Sequence, residues 1–182
     1  MAKSHVYVFS GLMSSIVPGF RKGTKEIAAQ IKYEHPTLEV SHHIWNEWKN
    51  ISDEIIKRSM KSGRHDVYII GHSNGVLACA NIAEDLRKMD IDVKYIGAID
   101  PTAASFPEIG SNVTKVDEFW ARTGWPAVKR RLTRNKRGAC VFSKAFKGIK
   151  TLIKVPTTHV GASSSDRTVK QILTSIQELA GD

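Results

Sequence analysis

The chain has 182 residues, of which 41% are apolar and 25% charged, and carries a net charge of +9. That balance is the composition of a water-soluble globular fold, and the two cysteines, Cys79 and Cys140, supply neither a disulfide framework nor a metal spacing. No run of about 18 apolar residues argues for a transmembrane helix. The start, Met1-Ala2-Lys3-Ser4, leads into a strand without a signal-peptide apolar region, so the chain is expected to be cytoplasmic as synthesised.

The predicted elements alternate. A β-prone run at 5–10 is followed by a helix around 23–33, a strand over 38–45 and a helix around 51–62 with Ser52 as its cap. A strand at 66–71, a helix at 74–89 and a strand at 93–99 come next. Val113 to Trp120 and Thr151 to Val155 are further strand-like runs. Val169, Ile172, Leu173, Ile176 and Leu179 then share one face of a last helix that Ser165 and Asp166 would open. Strands alternating with helical segments predict one α/β domain over 1–182, a doubly wound and mostly parallel sheet with helices on both faces. Trp45, Asn46 and Trp48 fall just past a strand end, where they would line a cleft, although packing is the commoner role for aromatics.

Within this frame the informative stretch is Val67-Tyr68-Ile69-Ile70-Gly71-His72-Ser73-Asn74-Gly75. It is an apolar run ending in G-x-S-x-G. Val76, Leu77, Ala80, Ile82, Ala83 and Leu86 then recur at helical spacing. A serine on a sharp strand-to-helix turn is an exposed nucleophile, and so tight a turn requires positions 71 and 75 to lack a Cβ. The bland alternative is a plain β-to-α turn with a surface serine.

A nucleophilic serine needs a base, and the base needs an acid to hold its tautomer. Asp100 ends the buried run Val93–Ile99, and Pro101 stops the strand, so its carboxylate belongs at the same sheet edge as Ser73. An Asp-Pro turn is the structural alternative. Asp117, Glu118 and Asp166 compete, and Asp117 or Glu118 would serve if Asp100 did not. His159 follows the run Thr151–Val155 and is the candidate base. His5, His35, His42, His43, His65 and His72 are read as structural, His72 because it cannot reach back to its neighbour's hydroxyl.

The order Ser73…Asp100…His159 is that of α/β-hydrolases. The chain resembles a small lidless esterase or lipase of that superfamily, of a compact kind common in phages and bacteria. Gly97-Ala98-Ile99-Asp100-Pro101 is similar to the strand-end Asp-Pro of lipases whose catalytic acid follows the strand after the nucleophile helix. The resemblance implies a carboxylic ester or thioester substrate, an acyl-enzyme on Ser73, and no metal or organic cofactor. Two backbone N–H groups would form the oxyanion hole. One is that of Asn74, and the other, after Ser10-Gly11, is assigned to Leu12 with Met13 as the alternative. The short connection after Asp100 leaves little room for a large lid.

The charge is uneven. Residues 121–154 contain eleven basic side chains (Arg122, Lys129, Arg130, Arg131, Arg134, Lys136, Arg137, Lys144, Lys147, Lys150 and Lys154) and no acidic one. This reads as a basic insertion near the site, flanked at its start by Trp120 and Trp125. A solvated loop is the plain reading, and docking to an anionic surface or acidic glycan is the functional one. Nucleic-acid binding through 129–137 ranks lower, because no zinc-finger, helix-turn-helix or RNP pattern accompanies the charge. A non-catalytic binding module on a hydrolase scaffold is the other rival.

Overall fold

The computed structural model describes residues 4–12, 21–63, 65–102, 106–121 and 140–181. In chain order these form β1 (His5–Ser10), α1 (Lys22–Glu34), β2 (Glu39–Ile44), a 3-10 turn (Trp45–Glu47), α2 (Trp48–Ser62), β3 (Val67–His72), α3 (Gly75–Lys88) and β4 (Val93–Ile99). There follow β5 (Glu108–Ile109), β6 (Val113–Ala121), β7 (Val141–Phe142), β8 (Ile149–Val155), a 3-10 turn (Val160–Ser164) and α4 (Asp166–Ala180). Six strands make one sheet in the order β2-β1-β3-β4-β6-β8, every pair parallel, and β5 and β7 form a separate two-stranded pair.

The alternation of side chains along each central strand builds two cores at once. Tyr7, Phe9, Val67 and Ile69 point to one face, where they pack with Ile51 and Ile55 of α2 and with Val76, Ile82 and Leu86 of α3. Val6, Val8, Tyr68 and Ile70 point to the other, against Ile27 and Ile31 of α1 and Ile172 and Ile176 of α4. Both faces are covered, so β1 and β3 are buried along their whole length. The sheet is doubly wound, as the periodicity predicts.

The strand order also places the site. β1 pairs with β2 on one side and β3 on the other. α1, which follows β1, and α3, which follows β3, lie on opposite faces, so the carboxyl ends of β1 and β3 mark the switch point at which open α/β sheets bind ligands.

Three details differ from the predicted elements. Ser52 lies inside α2, fully buried, and its hydroxyl donates to Asp85 Oδ2 at 3.2 Å, so it ties α2 to α3 instead of capping a helix. The helix starts earlier because the turn at Trp45–Glu47 runs straight into it, and the Glu47 carboxylate accepts the Ile44 N–H at 2.8 Å. Ser165 occupies the N-cap position of α4 with extended backbone but makes no side-chain cap bond. Of the basic stretch, Arg122, Lys129, Arg130, Arg131, Arg134, Lys136 and Arg137 fall outside the described residues, as do Trp125 and Met13. Lys150 and Lys154 belong to β8 of the main sheet.

Candidate active site

Ser73 follows β3 directly and has φ 58°, a left-handed conformation unusual for a side chain other than glycine. Such a residue costs on the order of 1–3 kcal/mol and persists only where its surroundings enforce it. Here three close approaches do so. A Cβ on Gly71 would collide with the Gly75 carbonyl, one on Gly75 would collide with the Phe9 carbonyl, and one on Gly11 would stand 2.7 Å from the Ser73 Cβ. The turn after β3, the start of α3 and the end of β1 are thus packed backbone to backbone. The Ser73 N–H donates to the Ile99 carbonyl at 2.9 Å, which extends the β3–β4 pairing through the turn.

β4 delivers Asp100 beside Ser73. Its register pairs His72 with Ile99, so the residues that follow emerge side by side. Asp100 also has positive φ, at 42°, and is 3% exposed. Its two carboxylate oxygens have separate duties. Oδ1 accepts the Ala121 N–H at 3.0 Å, and Oδ2 accepts from His159 Nδ1 at 2.7 Å. A proton on Nδ1 leaves Nε2 of a neutral His159 as an acceptor, the tautomer that a general base requires.

Of the four candidate acids, Asp100 is the one that meets His159. Asp117 is fully buried and accepts from Tyr95 at 3.2 Å and Ser175 at 2.6 Å. Glu118 accepts the Cys140 N–H at 3.1 Å and faces Lys150 at 3.7 Å, with burial pushing its carboxyl up from the usual range. Asp166 begins α4.

Ser73 Oγ lies 2.8 Å from Thr102 Oγ1, and Thr102 Oγ1 donates to Asn74 Oδ1 at 3.3 Å. Thr102 has a single hydroxyl proton, so the Ser73 hydroxyl is the donor of that pair. Among the described residues no hydrogen bond joins Ser73 to His159. The serine would have to turn about χ1 to face the imidazole.

The α3 helix begins immediately after Asn74, whose N–H meets no acceptor among the described residues. An N–H at a helix start is suited to holding an anion. Leu12, the other predicted donor, follows Gly11, which packs against Ser73, and its side chain is exposed. His72 is the feature that sequence reasoning missed. Its Nε2 donates to the His159 carbonyl at 2.8 Å, and the two rings lie 4.7 Å apart. Trp45 has a buried ring nitrogen without a partner among the described residues and begins the turn into α2. No group of three or more His, Cys, Asp or Glu side chains suited to a metal occurs among the described residues. Nor is any helix there long and apolar enough to cross a membrane.

No protein-family model matches the chain, and no curated protein matches it. Solved structures do. A Listeria innocua gene product superposes with a TM-score of 0.66 at 10% identity, over 98% of this chain and 95% of its own. A Xanthomonas campestris protein assigned to the alpha/beta hydrolase superfamily matches with a TM-score of 0.55 at 12% identity, over 97% and 100%. The type II thioesterase BorB of the borrelidin biosynthetic cluster matches with a TM-score of 0.58 at 10% identity, over 97% and 92%. At such identities the likeness shows the fold, and the fold is that of the α/β-hydrolases.

Proposed function

We propose that the chain is a single-domain serine hydrolase that cleaves an ester or thioester through an acyl-enzyme on Ser73. One observation carries this reading: the His159 Nδ1–Asp100 Oδ2 bond of 2.7 Å, set beside a serine held at positive φ at the end of a central strand. Asp100 orients His159 and stabilises its imidazolium. His159 Nε2 takes the Ser73 proton as Oγ attacks the carbonyl carbon, and returns it to the departing alcohol or thiol. Water then repeats the sequence to release the acid. The Asn74 N–H, together with that of Leu12 or Met13, receives the oxyanion. The reaction balances with water alone as co-reactant. A thioester is included because this fold is shared with a thioesterase. The basic stretch, of which Lys144, Lys147, Lys150 and Lys154 are described and exposed, would favour an anionic carrier or surface for the acyl group.

One observation favours a second reading, a hydrolase-fold binding module: the Ser73 hydroxyl is engaged by Thr102 and not by His159. A fluorophosphonate probe separates the two. A hydrolase labels at Ser73, and labelling disappears in Ser73→Ala. Turnover of p-nitrophenyl esters and acyl thioesters of graded chain length would then define the acyl group. A wild-type protein that neither labels nor turns over any of them would refute the hydrolase reading.

A further inference from the structure

The motif position between Gly71 and Ser73 carries a histidine that the mechanism above does not use. Its surroundings are unusual for a motif filler. His72 ends β3, the third strand of a six-stranded sheet, and is 5% exposed. Its ring reaches 87 positions along the sequence to the loop after β8, where Nε2 donates to the carbonyl of His159 at 2.8 Å. The rings of the two histidines face each other at 4.7 Å with an interplanar angle of 30°.

The first part of that loop, residues 156–159, lies at the surface, before Ala162 and Ser163 bury against α1. β8 is the last strand of the sheet and is paired on one side, by β6. Apart from the bond to His72, the bonds made by the loop's backbone beyond Val155 are local among the described residues, Thr157 N–H to Val155 at 2.8 Å and Gly161 N–H to the Thr158 hydroxyl at 3.2 Å. The His159 carbonyl receives a long 3.4 Å bond from the Ala162 N–H as well. Two contacts therefore tie His159 to the interior. Asp100 holds the ring nitrogen, and His72 holds the backbone and covers one ring face.

We propose that His72 is a positioning residue, which fixes the backbone and ring plane of His159 so that Nε2 faces the nucleophile. The inference rests on the proposed hydrolase reading. Asp100 alone leaves the imidazole free to swing about the Nδ1–Oδ2 line, and a second fixed point removes that freedom. Misplacement of a base by about 1 Å costs rate steeply, because proton transfer requires a short, aligned contact. A neutral imidazole suits the task. Burial and the facing His159 hold the His72 pKa down to about 4, so His72 supplies one N–H donor without setting a positive charge against the imidazolium.

The test uses the full chain with p-nitrophenyl butyrate, comparing wild type, His159→Ala, His72→Phe and His72→Gln. Phenylalanine keeps an aromatic ring against His159 and removes the donor. Glutamine places an amide Nε2 at the same bond count from Cα and keeps the donor. The expected result for His72→Phe is a kcat lower by about ten- to a hundredfold with KM within about twofold, as for one lost buried hydrogen bond that matters to the reacting group. His72→Gln should recover most of the loss, a rescue that a packing role would not give. An active wild type, inactive His159→Ala and unchanged kcat in folded His72→Phe would overturn the positioning role while leaving the hydrolase reading standing. An inert wild type would overturn both. If His72→Phe does not fold, His72→Gln decides: near-wild-type kcat supports the role, and loss to the His159→Ala level overturns it.

Discussion

Replacing Asp100 by asparagine changes one atom and reverses one hydrogen bond. The carboxylate now has two acceptors at work, Oδ1 toward the Ala121 N–H at 3.0 Å and Oδ2 toward His159 Nδ1 at 2.7 Å. An asparagine has one acceptor. The fixed backbone donor of Ala121 claims it, because a buried N–H left unpaired costs about 1–3 kcal/mol. The amide NH2 then faces His159, which must present a bare Nδ1 and move its proton to Nε2. A protonated Nε2 cannot accept from Ser73. The size of the side chain is unchanged and its burial is retained, so the fold should survive. The loss is chemical: a wrong tautomer in a serine triad costs on the order of 10⁴ in kcat, equivalent to about 5.4 kcal/mol of transition-state stabilisation. The assay is kcat and KM on a p-nitrophenyl ester, with the rate of fluorophosphonate labelling as a substrate-independent check. The KM should move little. An Asp100→Asn protein that is folded and retains kcat within about tenfold would refute the tautomer argument.

Three further outcomes follow from the same geometry. Thr102→Val removes the acceptor that holds the Ser73 hydroxyl away from His159. Labelling of Ser73 should quicken by about two- to tenfold, the worth of one ordinary hydrogen bond, and a slower rate would mean that Thr102 assists the chemistry. Gly75→Ala drives a methyl group into the Phe9 carbonyl, which is backbone and has no room to retreat. A loss of about 3 kcal/mol or more in urea unfolding is expected, and a change below about 1 kcal/mol would show that the elbow yields. His5, His42 and His72 each have a pKa pushed down to about 4, chiefly by burial. In the unfolded chain they return to about 6.5 and bind more protons than the folded chain between those values, so stability is full above about pH 6.5 and is lost as pH falls toward 4. Urea midpoints at about pH 7.5 and about pH 5 should differ accordingly, and equal midpoints would refute this accounting.

The turn that carries Ser73 was legible because its geometry constrains sequence. Only glycine fits at 71 and 75, where backbones touch, and that requirement writes itself into the motif. Asp100 was legible because Pro101 ends β4 beside the turn that follows β3. The alternatives Asp117 and Glu118 looked equivalent in sequence, since β6 is also a strand of the sheet. Their side chains are spent on Tyr95, Ser175, Cys140 and Lys150, which no local pattern announces. The contact His72 makes was not legible for a related reason. The argument that it cannot reach its neighbour's hydroxyl says nothing of where its ring does go, and its partner lies 87 positions away. Ser52 reads as a cap because it precedes an apolar-periodic run. The turn at Trp45–Glu47 moves the helix start back and leaves Ser52 bonded to Asp85 instead. β5 and β7 have two residues each, too few to show an alternation.

The proposed nucleophile and the proposed base ride on strands of unequal security. Ser73 follows β3, which is hydrogen-bonded on both sides, whereas His159 hangs from β8, paired only to β6 among the described residues. Edge elements open at lower free energy than the centre of a sheet. Detachment of β8 would strip the base from the site while the elbow stayed intact. Catalysis should therefore fail at a lower temperature than the one at which the molecule melts, and amide exchange along Ile149–Val155 should report the same early opening.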